Sequence, residues 1–219
     1  MRIVLSTGTP AEIAQPAIVD ESTRGLVLFP DIMGLRPLFD DMCRKLAANN
    51  GWVVCAPEPF PGQEGLTVDE RLAAMAEFSD ERLRADALAA ADATGCREVS
   101  AIGFCMGGML TFKAAASGRF HRAAGFYGMI RLPEAWRGVS LAEPIEALAS
   151  PDRCPTMAII GTADHFTPAA DVDEAEALGV EVVRYEGAEH GFVHDASRPA
   201  HRVDDAADAW RQVVAFLNT

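Results

Sequence analysis

The sequence predicts an α/β fold, a mostly parallel sheet with helices on both faces. Three observations carry this reading. Short apolar runs alternate with helical patterns of roughly 10–15 residues, the signature of repeated βαβ units. The runs are almost continuously apolar instead of alternating with polar residues, as in strands covered on both sides. Finally, 49% of the 219 residues are apolar and 23% charged, which supplies a core and excludes a disordered chain. This length suits one domain over residues 1–219.

The elements follow in order. Residues 25–29 (GLVLF) read as a buried strand closed by Pro30. Residues 38–49 read as a helix, with Leu38, Met42, Lys45 and Leu46 near one face. The next strand, 52–56 (WVVCA), is ended by Pro57, Pro59 and Pro61. Ala- and Leu-rich helices are expected at 69–78 and 80–94, then a strand at 99–104 and a helix at 107–117. A strand at 123–127 leads into an irregular stretch, 131–154. The pattern closes with strand 156–160, helix 171–178, strand 181–185 and helix 200–217.

Charge and cysteine usage narrow the function. Lys and Arg total 19 against 32 Asp and Glu, a formal charge of −13, which argues against nucleic acid or an anionic membrane as partner. The five cysteines, Cys43, Cys55, Cys96, Cys105 and Cys154, form no C-x-x-C pair, so a zinc ribbon or a dithiol redox site is not expected. The opening MRIVLSTGTP lacks the apolar run of a signal peptide, and no stretch of about 18 apolar residues occurs to span a membrane. The expectation is a cytoplasmic protein with reduced thiols acting on a small molecule.

Ligands of such sheets bind at the C-terminal ends of the strands, so the chemistry is sought there. Gly103-Phe104-Cys105-Met106-Gly107-Gly108 lies between a predicted strand and a predicted helix, with the G-x-nucleophile-x-G spacing of a nucleophile elbow. The small neighbours let the chain reverse sharply, which holds Cys105 above the sheet at a helix N-terminus. The partial positive charge there favours a thiolate, and the Met106 N–H is placed to bind an oxyanion. An elbow nucleophile is followed in chain order by an acid and a histidine. Asp164, after strand 156–160, and His190, after strand 181–185, meet that order. His165 adjoins Asp164 and is poorly placed to accept its hydrogen bond, while His194 is a candidate neighbouring or substrate-contacting residue. His121 and His201 read as surface positions. The second oxyanion donor should follow an early strand, and the Ile32 N–H in Phe29-Pro-Asp-Ile-Met-Gly34 fits. Asp31 beside it opposes an oxyanion unless its charge is paired or turned away; a turn or cap role is the alternative.

These segments resemble the dienelactone hydrolase family of the α/β-hydrolase superfamily. The likeness runs from about Gly25 to Leu217 and is carried by GFCMGG (103–108), GFYG (125–128), GTADHFTP (161–168) and EHGF (189–192). It implies an α/β-hydrolase fold, Cys105 as nucleophile, Asp164 as orienting acid, His190 as base and Ile32 and Met106 as oxyanion donors. Two positions depart from the family. Its best-known members carry a glutamate where Asp31 stands, which the resemblance implies helps take the thiol proton. They carry a substrate-binding arginine where His194 stands, and an imidazole binds a carboxylate less well than a guanidinium fork does. A further arginine belongs after Pro57; Arg71 is the nearest candidate, with a solvated helix position as its alternative reading. The long stretch 131–154 is expected to shape the pocket rim.

The reading is therefore a cysteine-dependent hydrolase of small esters or lactones, with no metal and no organic cofactor. The alternatives are a general carboxylesterase or thioesterase, and a non-catalytic thiol sensor on the same fold.

Overall fold

The computed structural model describes residues 1–138 and 140–219; position 139, within the expected irregular stretch, lies outside the described residues. Eight strands form one sheet: β1 (Arg2–Val4), β2 (Pro10–Ala14), β3 (Gly25–Phe29), β4 (Val53–Pro57), β5 (Val99–Phe104), β6 (Ala123–Phe126), β7 (Thr156–Gly161) and β8 (Glu181–Tyr185). Their order is β1-β2-β4-β3-β5-β6-β7-β8. β1 and β2 pair antiparallel, as do β2 and β4, while every pair from β4 to β8 is parallel.

The seven helices are α1 (Pro37–Asn50), α2 (Val68–Ala74), α3 (Asp80–Ala93), α4 (Met106–Ala115), α5 (Pro144–Leu148), α6 (Ala169–Ala177) and α7 (Val203–Leu217) among the described residues. Local chemistry sets several of their ends. Pro37 opens α1, where its missing N–H costs nothing, and Gly51 closes it at φ 72°. Thr67 and Glu70 form a reciprocal capping box at the start of α2. The helix expected over 69–78 stops at Ala74 and tightens into a 3-10 turn. None of the described helices is long and apolar enough to cross a membrane.

Residues of β3 through β7 are buried throughout, which explains their unbroken apolar runs. Successive side chains leave a strand on opposite faces, so each run feeds two cores. Val27, Phe29, Val53, Cys55 and Ala101 pack with α3 and α4 on one side. Leu26, Leu28, Val54, Ile102 and Phe104 pack with α1 and α7 on the other.

Three elements were absent from the sequence reading. β1 is three residues long and mostly exposed, and β2 reads PAEIA with a buried Glu12. Glu12 is paired with the N-terminal ammonium, a partner no periodicity reveals. The five-residue α5 lies in the stretch expected to be irregular, and α7 starts at Val203 rather than residue 200.

The topology fixes where a site can form. From β3 the chain moves to β4 on one side and then returns to β5 on the other, so the switch point at which such sheets bind ligands lies at the C-terminal ends of β3 and β5. The register sets Phe29 opposite Gly103 and Phe104 opposite Phe126. The loops after β3, β5 and β6 therefore leave the sheet at one level.

Phe104 is fully buried and stacks on Phe126 at 4.6 Å between centroids. Phe104→Ala is expected to lower stability by about 3–5 kcal/mol. A lower urea midpoint at unchanged slope would report it.

Candidate active site

The reversal after β5 centres on Cys105, at φ 58° and ψ −119°. Among the described residues only Cys105 and Tyr127 combine a side chain with positive φ. Such strain persists where the surroundings over-determine it. Here the glycines do so. A Cβ on Gly103 would sit 2.1 Å from the Gly107 carbonyl oxygen, and one on Gly107 would sit 2.1 Å from the Phe29 carbonyl oxygen. The Cys105 N–H donates to the Phe126 carbonyl at 3.0 Å, which anchors the turn on β6. Cys105 caps α4, and Met106 is the first helical residue, where an N–H has no acceptor inside its own helix.

Asp164 and His190 leave from β7 and β8. Asp164 is buried in a turn where its Oδ1 accepts the Phe166 N–H at 2.9 Å. Its Oδ2 faces Nδ1 of His190 at 2.7 Å. Because a carboxylate accepts, Nδ1 carries the proton and Nε2 is the ring's remaining proton site. Nε2 is buried and has no hydrogen-bond partner. Burial works against charge on this ring, but the hydrogen bond it donates to Asp164 and the neighbouring Cys105 thiol outweigh it and push the pKa up to about 9.

The loop after β3 presents Ile32 between two engaged residues. Asp31 takes the Met33 N–H on Oδ1 at 3.0 Å, and its carbonyl takes the Gly34 N–H at 2.9 Å. The charge of Asp31 is paired, the condition under which it can sit beside an oxyanion site. Arg36 grips it with two bonds, Nη1 to Oδ1 at 2.7 Å and Nη2 to Oδ2 at 2.8 Å. His194 Nε2 donates to Oδ2 at 2.8 Å. The other His194 nitrogen is hydrogen-bonded by the Tyr127 hydroxyl. Burial would raise the Asp31 carboxyl, but His194 and Arg36 hold it far below the usual carboxylate range. Burial lowers His194 despite Asp31, so this ring is neutral.

Cys105, Asp164, His190, Asp31 and His194 thus gather at one end of the sheet, with Ile32 and Met106 on the flanking turns. Arg71 needs correcting from its solvated reading, because it is 4% exposed. Its Nε and Nη2 donate to the Leu66 and Glu64 carbonyls at 3.1 and 2.6 Å, and Nη1 lies 3.6 Å from buried Glu58. A Cβ on Gly34 would lie 3.0 Å from Arg71 Nη1, so the guanidinium backs the loop that carries Ile32. Sequence reasoning missed two residues, Arg36 and Tyr127. Tyr127 follows the strand paired with the elbow strand, a signal available in the GFYG segment. Arg36 reaches back five residues from a helix start, which no spacing rule anticipates.

The chain matches the model of the dienelactone hydrolase family over residues 10–219. A candidate carboxymethylenebutenolidase of Synechocystis is 28% identical over 227 residues, covering 94% of this chain and 90% of that protein. A similar candidate of Escherichia coli strain K12 is 25% identical, covering 95% and 81%. The crystal structure of a candidate dienelactone hydrolase from Klebsiella pneumoniae superposes with a TM-score of 0.86 at 23% identity, covering 100% of this chain and 98% of that one. At that identity the structural likeness speaks for the fold.

The His190 ring should titrate near 9 by NMR, and Asp164→Asn should bring the midpoint down by removing the favourable carboxylate. The sign for stability follows. The folded value is raised from 6.5, so the protonated ring's contribution is complete below 6.5 and is lost as pH rises through about 9. Asp164→Asn should flatten that decline in urea midpoints measured across the same pH window.

Proposed function

We propose that this chain, which belongs to the dienelactone hydrolase family, hydrolyses ester or lactone bonds of small molecules through Cys105, His190 and Asp164. The observation that carries the reading is the Asp164–His190 pair at 2.7 Å, with the far ring nitrogen buried and free of other partners beside the elbow cysteine.

The steps follow from the groups present. As the Cys105 sulfur attacks the carbonyl carbon, neutral His190 takes the thiol proton on Nε2. The N–H groups of Ile32 and Met106 receive the developing oxyanion, an effect worth roughly 3–4 kcal/mol per donor in comparable sites. Protonated His190 gives its Nε2 proton to the departing alkoxide, leaving a thioester on Cys105. Neutral His190 then takes a proton from water, which attacks the thioester; the C–S bond breaks, the acid leaves and the His190 proton returns to the Cys105 sulfur. Asp164 holds the ring in one tautomer and stabilises its charged form throughout. The thioester intermediate suits activated acyl groups, such as enol lactones and aryl esters. Arg36 and Arg71 are engaged by the buried carboxylates of Asp31 and Glu58, so this reading does not depend on an anionic substrate.

The test is a burst assay with an aryl ester on the native protein and Cys105→Ala, with peptide mass analysis of the trapped acyl group. The native protein should release one equivalent rapidly and carry the acyl group on the Cys105 peptide. Cys105→Ala should lose roughly 10³-fold or more in turnover. Full turnover in that variant would overturn the proposal. A reactive thiol with no turnover of a broad ester and lactone panel would favour the sensor.

A further inference from the structure

The loop after β3 leaves one N–H free. Residues 31–34 close a β-turn through the Gly34 N–H to the Asp31 carbonyl at 2.9 Å, with Ile32 and Met33 at its centre. The Met33 N–H donates to Asp31 Oδ1 at 3.0 Å, and the Leu35 N–H donates to Glu58 Oε2 at 2.8 Å. Of the four consecutive donors at 32–35, the Ile32 N–H alone has no acceptor among the described residues.

Asp31 shapes this turn from within, while Glu58 and Arg71 meet it from behind. Glu58 follows β4, the parallel neighbour of β3, and its own N–H donates to the Pro10 carbonyl of β2 at 2.8 Å. Its buried carboxylate also accepts the Phe60 N–H on Oε1 at 2.9 Å. The Arg71 guanidinium, already fastened to the Glu64 and Leu66 carbonyls, lies over the Phe60 ring at 4.8 Å. Phe60 in turn packs on Phe78 in the core, at 4.9 Å between centroids. Arg71 Nη1 faces Glu58 Oε1 at 3.6 Å, an ion pair without a hydrogen bond. Gly34 occupies the space that remains. It holds φ at 70°, and a Cβ there would lie 2.6 and 2.9 Å from the two Glu58 oxygens and 3.0 Å from Arg71 Nη1. The turn is therefore seated on the pair with no room for a side chain between them.

We propose that Glu58 and Arg71 are positioning residues for the hydrolysis: they seat the 31–34 turn against the core and so fix where the free Ile32 N–H points. This rests on the hydrolase reading for the role of Ile32, and adds what holds that donor in place. A donor that is fixed beforehand stabilises an oxyanion without reorganising, and a displacement of about 1 Å can cost on the order of a hundredfold in rate. Arg71 acts through Glu58 and the turn, and its own donors are spent on the chain rather than on substrate.

The experiment compares three readouts in Arg71→Met and Glu58→Gln. The first is kcat and KM for a neutral aryl ester and for one bearing a carboxylate. The second is inhibition by an aryl trifluoromethyl ketone, whose adduct with the Cys105 sulfur carries an oxyanion. The third is iodoacetamide alkylation of the Cys105 peptide, a displacement of iodide in which no oxyanion forms. Arg71→Met removes the cation behind the turn. Glu58→Gln leaves a single acceptor oxygen for the Leu35 and Phe60 N–H groups. Each variant should lower kcat by about tenfold or more on both esters and weaken ketone inhibition by a similar factor. KM and the alkylation rate should stay within about threefold of native, because neither depends on the oxyanion. The double variant Glu58→Gln/Arg71→Met, which leaves no buried charge unpaired, serves if a single variant does not fold. Unchanged kcat and ketone inhibition in the folded variants would overturn the proposal. So would alkylation that falls in step with them, which marks general distortion, or a rise in KM confined to the carboxylate-bearing ester, which marks a substrate contact. A native protein that turns over no ester and forms no ketone adduct would overturn the hydrolase reading and this inference together, whereas native turnover with unchanged variants overturns the inference alone.

Discussion

The site depends on one backbone constraint, the left-handed turn at Cys105. A residue with a side chain resists positive φ, so the turn exists only because its surroundings leave no alternative. Gly103 and Gly107 touch backbone on both sides, and the Cys105 N–H is pinned to β6. The same reversal sets three things at once. It lifts the sulfur off the sheet, starts α4 beneath it and leaves the Met106 N–H without a helical acceptor. Strain, helix field and a backbone N–H free of its own helix are thus one feature of the chain. A change that relaxed the turn would remove all three together.

A second constraint is electrostatic. The chain carries a formal charge of −13, yet its candidate site gathers two buried carboxylates. An unpaired buried carboxylate would be costly to the fold. Each is neutralised locally, Asp164 by the ring of His190 and Asp31 by Arg36 and His194. Glu58 and Arg71 repeat the pattern one layer behind, against Gly34. The surface remains acidic while the site is balanced pair by pair.

How much of this was legible in the sequence depends on the range of the interaction involved. The parallel strands were visible because burial on both faces leaves continuous apolar runs, and Cys105, Asp164 and His190 because strand ends and chain order locate them. β1 and β2 were not, since a short exposed strand and a buried glutamate have no periodic signature. Arg71 read as solvated because its helix position is polar, and only the backbone of residues 64–66 folding over it makes it buried. Arg36 was missed for the same reason, its partner being set by loop geometry. The charge of Asp31 was legible as a difficulty, while its resolution required coordinates.

The two aspartate–histidine pairs show why pairing alone does not decide protonation. Both join a buried carboxylate to an imidazole, at 2.7 and 2.8 Å. His190 is raised and His194 is lowered. Distance cannot account for opposite signs. The difference lies first in burial and then in what else each carboxylate holds. Asp164 spends its second oxygen on a neutral backbone N–H, so its full charge acts on His190, and the Cys105 sulfur adds to it. Arg36 grips both oxygens of Asp31 and weakens the field that His194 would feel. His194 is also sealed from solvent by the stacked rings of Phe39 and Phe104, where burial dominates. Deeper burial first, and then the guanidinium at position 36, one residue before α1 begins, separate the two histidines into one whose pKa is raised and one whose pKa is lowered.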